Sequence, residues 1–110
     1  MKTSELTGIA LDWAVAKCEG LKTVFSNGEL FLDKGGNEWA WYQPSKVWGH
    51  GGPILEDNAI MVERWNEDFE WRASIADDYE QFSNSYLEAA MRSYVASKLG
   101  DEVDVPEELR

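Results

Sequence analysis

His50 is the only histidine in the 110-residue chain. It is therefore the only side chain whose ordinary pKa suits proton transfer near neutral pH. It stands in Trp48-Gly49-His50-Gly51-Gly52-Pro53. A general base needs a nucleophile within reach and a group that orients it. Ser45 and Asp57 are near in sequence, but no Gly-x-Ser-x-Gly or comparable arrangement accompanies them. A hydrogen-bonding or ligand-contacting histidine in a glycine loop is the better reading. The glycines resemble a phosphate-cradling loop in composition only. Such loops present amides, usually at a helix N-terminus and often beside a lysine. Here Pro53 removes a donor, and no Gly-Lys-Ser/Thr ending follows. An anion held by loop amides is the part of that chemistry left open.

Other reactive groups are sparse. One histidine, one cysteine and scattered acids give no zinc spacing. Asp101, Asp104 and Glu107-Glu108 lack the calcium-loop pattern. Glu67-Asp68-Glu70 and Asp77-Asp78-Glu80 read as solvated acids. No metal or other cofactor is expected. Cys18, the lone cysteine, cannot form an internal disulfide, which fits a reducing compartment. It lies on an apolar helical stripe and reads as packing.

The aromatic residues are the stronger signal. The fifteen residues Trp39 to Pro53 hold three of six tryptophans, the histidine and three of nine glycines. Flat rings stack on planar ligands and bury large areas at low entropic cost. Arg64 and Arg72 lie in the same region and could meet a phosphate or carboxylate. We expect four tryptophans in the core, with Trp48 as the exception. The candidate ligand-binding set is Tyr42, Ser45, Trp48, His50, Gly51, Gly52 and Arg64, with Trp13 or Trp65 as further walls.

The elements that would position this set follow from patterning. Thr7 as N-cap and Gly20 as stop bound a first helix. Leu11, Ala14, Val15 and Cys18 form one stripe, and Ile9, Trp13 and Ala16 lie opposite. Charge is confined to a narrow strip with Asp12 and Glu19, plus Lys17. A helix apolar on two sides is wedged between layers or covers a pocket. Asn27-Gly28 signals a hairpin, and Asp33 to Asn37 a second turn. Trp39-Ala40-Trp41-Tyr42 suits a strand ended by Pro44, with a loop to Pro53. Glu56-Asp57-Asn58 and Asn66-Glu67-Asp68 read as turns. They flank a strand at Ala59–Val62 that could run to Trp65. Glu70 to Ile75 alternates as its antiparallel partner, with Trp71, Ala73 and Ile75 inward. Ser85-x-x-Glu88 is a capping box opening a last helix, which Gly100 stops. The acidic tail at about 101–110 is extended, with Val103 and Val105 available to pin it. The expectation is a single α+β domain spanning 1–110. It is a small antiparallel sheet with the N-terminal and C-terminal helices packed on one face.

Charge narrows the function classes. Residues 1–55 hold six acids and five bases, whereas 56–110 hold fifteen acids and five bases, for a net −11. Such a half repels phosphate backbones, so direct nucleic-acid binding is disfavoured. It suits solubility or docking on a basic protein surface, including nucleic-acid mimicry. No apolar run approaches the ~18 residues of a spanning helix. The N-terminus lacks the apolar core of a signal peptide, so a cytoplasmic protein is expected. The two-sided helix and the surplus of aromatics are compatible with a homo-oligomer.

Three separated segments carry a family resemblance. They are Lys2 to Gly8 through Leu11 to Lys17, then Tyr42-Gln43-Pro44-Ser45 followed by Trp48 and Gly51-Gly52-Pro53-Ile54, and Ala89 to Arg92 through Val95 to Pro106. In this order they resemble the small NinX-like proteins of tailed phages and prophages, over the whole chain. The stretch from Glu56 to Phe82 carries least of it. The resemblance implies a phage or prophage origin and a bacterial cytoplasm as workplace, in a family of unknown function. Where relatives carry Ser-Thr-Asp between proline and tryptophan, this chain has Ser45-Lys46-Val47. That loses an acid and gains a base, against a catalytic acid in this loop.

Three functions follow as expectations. The first is a non-enzymatic accessory protein that binds a small ligand in an aromatic/glycine pocket. For a phage protein that ligand could be nucleotide-derived, including a host immune signal to be sequestered. The second is an acidic module that inhibits a host protein, with Glu67, Asp68, Asp77 and Asp78 at its interface. The third, an enzyme using His50, has least behind it.

Overall fold

The computed structural model describes residues 1–67 and 70–110. The expected Asn66-Glu67-Asp68 turn and the docking role of Asp68 therefore fall partly outside the described residues. The element order is α1 (Gly8–Cys18), β1 (Thr23–Ser26), β2 (Glu29–Asp33), β3 (Trp39–Trp41), α2 (Trp48–Asp57), β4 (Ile60–Arg64), β5 (Trp71–Ile75), β6 (Asp78–Ser83) and α3 (Tyr86–Leu99). The architecture is α+β, and its strands form two three-stranded antiparallel sheets, β1-β2-β3 and β4-β5-β6.

α3 is the spine. It packs on β4, β5 and β6, and α1 and α2 both lie against it. Its Leu87, Ala89, Ala90, Met91, Tyr94 and Val95 are buried. Small alanines on this face let neighbouring backbones approach closely, while Met91 and Tyr94 fill the wider gaps. α1 lies between α3 and β2, so its two apolar sides are both used, as a wedged helix requires. Leu11, Ala14 and Val15 are fully enclosed.

Chain ends complete the core. Thr3 N–H donates to the Asp101 carbonyl at 2.8 Å and Val103 N–H to the Met1 carbonyl at 2.8 Å. Val103, Val105 and Leu109 are buried. Two valines and a leucine hold an otherwise acidic tail on the body through apolar burial.

Several local expectations hold. Asn27 (φ 52°) and Gly28 (φ 78°) form the β1–β2 hairpin turn, the pair of left-handed residues that such a turn needs. β4 and β5 pair as the expected antiparallel hairpin, Ile60 opposite Ile75 and Arg64 opposite Trp71. The Ser85 side chain accepts from the Glu88 amide. The Glu88 carboxylate does not reach back to complete a capping box. It accepts from Thr7 Oγ1 and Ser83 Oγ and pairs with Arg92, so it ties three elements together.

Other expectations are corrected. The segment Trp48 to Pro53, read as loop, is the start of α2, and the turn lies at Asn58-Ala59. Three glycines and a proline among ten residues hide a helix from any propensity argument. Tertiary contacts, described below, hold it. The acids Asp78 and Glu80 are exposed, but they stand in a strand, β6, that was not expected, and Glu80 binds Arg72. Asp12 is no surface charge but is 3% exposed. The tryptophans reverse the core expectation. Trp39, Trp41, Trp48 and Trp65 are 50%, 59%, 58% and 51% exposed, and Trp13 and Trp71 are only half-buried.

Candidate functional site

The segment from Tyr42 to Gly52 folds back on itself before α2 begins. The Lys46 and Val47 amides donate to the Gln43 carbonyl at 3.0 and 2.8 Å, a tight turn around Pro44 and Ser45. The Gln43 amide donates to His50 Nδ1 at 3.0 Å, and the His50 ring stacks on Tyr42 at 5.9 Å. An imidazole that accepts from a backbone amide through Nδ1 carries its proton on Nε2 when neutral. It acts here as a brace between the turn and the helix. Gly51 is the closest approach. A Cβ there would lie 2.3 Å from the Pro44 carbonyl oxygen and 3.1 Å from Leu87 Cδ2. The glycine therefore lets α2 lie on the turn and on α3.

Asp12 anchors the turn from below. Its Oδ1 accepts the Ser45 amide at 2.9 Å. Burial pushes the carboxyl up to about 6, against the lowering pull of the Ser45 amide and hydroxyl and of Lys46. The Ser45 hydroxyl is buried and makes no well-formed hydrogen bond, although it lies near enough to Asp12 to favour the anion. Burial also pushes the Tyr42 hydroxyl upward, with Glu19 and Asp12 adding to it. Cys18 is pushed up to about 11, by burial and then by Glu19, so the thiol stays protonated and unreactive.

Two open clefts flank this segment, and they divide the candidate residues. One, of about 330 Å³, holds Tyr42 and His50 with Trp41, Lys34, Leu32 and Ile54 among its walls. The other, of about 360 Å³, is lined by Ser45, Lys46, Trp48, Ser85, Tyr86 and Leu87. Gly51 is buried between the turn and α3, and Gly52 lies under Trp48, where a Cβ would be 3.6 Å from Cε3. Arg64 lines neither cleft. Its guanidinium lies 5.3 Å from the Trp71 ring. Trp71 meets Tyr86 edge-on at 5.1 Å, and Tyr86 meets Trp48 at 5.2 Å. Arg64 and Trp48 are thus the two ends of a row of aromatic contacts. Trp13 packs partly against the core, with Lys17 over its ring at 5.2 Å. Trp65 lies elsewhere, against Phe82 and Arg72.

The second cleft has the better-assorted chemistry. Trp48 offers an exposed indole face beside the Tyr86 ring. Lys46 is exposed and forms no ion pair among the described residues. Tyr86 and Leu87 open α3, and the first amides of a helix have no intrahelical partner. They add the positive end of a fourteen-residue helix. Sequence reasoning missed Tyr86 and the start of α3 as parts of this site. The capping box located the helix end, but nothing in sequence brings residue 86 beside residue 48. A third cleft, of about 500 Å³, lies on the other side of Ser85. Arg92 in it already binds the Leu6 and Phe82 carbonyls and Glu88.

Among the described residues no cluster of histidine, cysteine and acids could hold a metal ion. None of their helices is long and apolar enough to cross a membrane. Fold and site define a small α+β protein with four tryptophans half or more exposed, one of them on a braced, glycine-dependent helix. Residues 2–98 match the family described as Bacteriophage P22, NinX, and the chain belongs to that family of phage proteins. No curated protein matches it.

Proposed function

We propose that this phage protein is a non-enzymatic accessory protein that binds a small anionic ligand with a planar group in the cleft beside Trp48. The observation that carries the reading is the exposed Trp48 indole, set next to Tyr86, Lys46 and the start of α3. The rings supply a stacking surface for a base-like plane. The ammonium and the Tyr86 and Leu87 amides supply the anion's partners. Nucleotide-derived molecules combine both features, and sequestering one in the bacterial cytoplasm would serve a phage against a host signal. His50, Gly51 and Tyr42 support the cleft from behind. Arg64 sits at the far end of the aromatic row, where it would meet only a longer ligand.

Calorimetric titration with a panel of mono-, di- and cyclic nucleotides tests the reading. Binding by a panel member should fall about tenfold or more in Trp48→Ala, the usual loss for a stacked base. It should fall comparably in Lys46→Glu. Absence of heat for every member at millimolar concentration would sink it.

A second reading, the acidic interaction module, is favoured by the exposure of Glu67, Asp77 and Asp78. It predicts a protein partner held by salt-sensitive contacts. Charge reversal at these three positions that left partner binding intact would remove that interface.

A further inference from the structure

The sheet β1-β2-β3 is apolar on both faces. Paired residues of antiparallel strands share a face. Thr23, Phe25, Leu30, Leu32, Ala40 and Tyr42 form the inner one, where Leu30 and Tyr42 enter the core and Phe25, near the hairpin turn, stays exposed. The outer face carries Val24 opposite Phe31 opposite Trp41, with Asp33 opposite Trp39. Phe31 and Trp39 touch at 5.7 Å. No element covers this face among the described residues, and Trp39 and Trp41 keep half or more of their surface in water. Contiguous exposed apolar patches of this kind mark interaction sites in water-exposed domains.

The outward residues of β2 are Glu29, Phe31 and Asp33 in order, so the aromatic centre has a carboxylate at each end. Trp41 Nε1 donates to Glu29 Oε2 at 3.2 Å, which fixes one carboxylate beside the ring. Lys22, across from Asp33, is the base at this face. We propose that the outer face of this sheet docks a basic protein segment, one that presents aliphatic or aromatic side chains flanked by lysine or arginine. Charge argues for such an occupant over a second copy, because two chains of net −11 repel one another as they approach. Area argues the same way. Two half-exposed indoles, with the mostly covered Phe31 and Val24 between and beside them, offer roughly 300 Å² for burial, given ~150–250 Å² for a whole aromatic side chain. A stable symmetric pair needs about 800 Å² from each partner. A small apolar centre with charged ends suits a transient, salt-sensitive contact. This surface is separate from the Trp48 cleft and does not depend on it.

The test uses two synthetic peptides, one alternating leucine with lysine and one alternating leucine with glutamate. They are titrated into 15N-labelled full-length protein while the six indole N–H signals are followed. The lysine peptide should shift the Trp39 and Trp41 signals, with affinity falling several-fold between low and physiological salt. The glutamate peptide should leave them unmoved. Trp41→Ser, at an exposed position, should keep the fold by circular dichroism and lose at least fivefold in affinity for the lysine peptide. The proposal is overturned if the lysine peptide shifts other signals but not those two, or if both peptides act alike. It is also overturned if the Trp39 and Trp41 signals move with protein concentration alone as sedimentation reports a dimer.

Discussion

Asp12 and Gly51 show how single residues hold the Trp48 cleft in place. The Asp12 carboxyl, raised to about 6 chiefly by burial, binds its proton more tightly in the native state than in the unfolded chain. Its contribution to stability is therefore full below about pH 4 and is lost as pH rises through about 6. In Asp12→Asn the side-chain oxygen can still accept the Ser45 amide, but nothing titrates. Urea unfolding across this range should show the wild type gaining about 2–3 kcal/mol relative to Asp12→Asn as pH falls from about 7 to about 4. A constant difference between the two proteins would show that the carboxyl is not desolvated. Gly51 and Gly52 make a matched pair. Gly51→Ala places a methyl on the Pro44 carbonyl and should cost about 1–3 kcal/mol. Gly52→Ala meets only ordinary contact with Trp48, and its gain in helix propensity is offset by the crowding of its Cβ against Pro53, so stability should change by less than about 0.5 kcal/mol. Equal effects in thermal melts would contradict this account of α2. At this scale the sequence singled out Trp48, His50 and the glycines, but not what each does. His50 and Gly51 turn out to brace and pack, because their partners Gln43, Pro44 and Leu87 are brought up by the turn and by α3.

Elements were legible where their ends carry chemistry. Thr7 and Gly20 around α1, Asn27-Gly28 between β1 and β2, and Ser85 with Gly100 around α3 all stand where the sequence places them. α2 was hidden because its stability is tertiary, from Gly51 against Pro44 and from buried Ile54. β6 was hidden by its turn. Ala76 (φ 51°) and Asp77 (φ 63°) adopt the left-handed conformations of a tight hairpin turn without the asparagine or glycine that would announce it. Side chains with a Cβ pay roughly 1–2 kcal/mol per residue there. Replacing Ala76-Asp77 by Asn-Gly should therefore raise stability by about 1–2 kcal/mol in chemical denaturation. No gain would mean that the turn is not the strained point of the second sheet. The tryptophan error belongs to this scale too. Trp39 and Trp41 share a face, as alternation requires, but alternation does not say which face is wet. Only the position of α1 behind Leu30 and Tyr42 decides that.

At the scale of the whole molecule, the chain extends 45 × 26 × 23 Å. Both chain ends are fastened beside α3 through Thr3, Val103 and Val105. The body is built around α3 and the second sheet. The first sheet reaches the rest mainly through α1 and β2. That arrangement sets two aromatic surfaces apart, the Trp48–Tyr86 cleft on the body and the Trp39–Trp41 face on the first sheet. Family membership over residues 2–98 was readable from three separated segments, two of which pack together on α3. The central claim is that the Trp48 cleft takes a small anionic, planar ligand. Its most direct test is the indole and amide NMR spectrum during titration with the nucleotide panel, with Trp48 assigned through Trp48→Phe. The account predicts that at least one nucleotide shifts the Trp48 indole signal together with the Tyr86 and Leu87 amides, while the Trp39 and Trp41 signals stay fixed. A panel that leaves Trp48 and the start of α3 unmoved at millimolar concentration would contradict it.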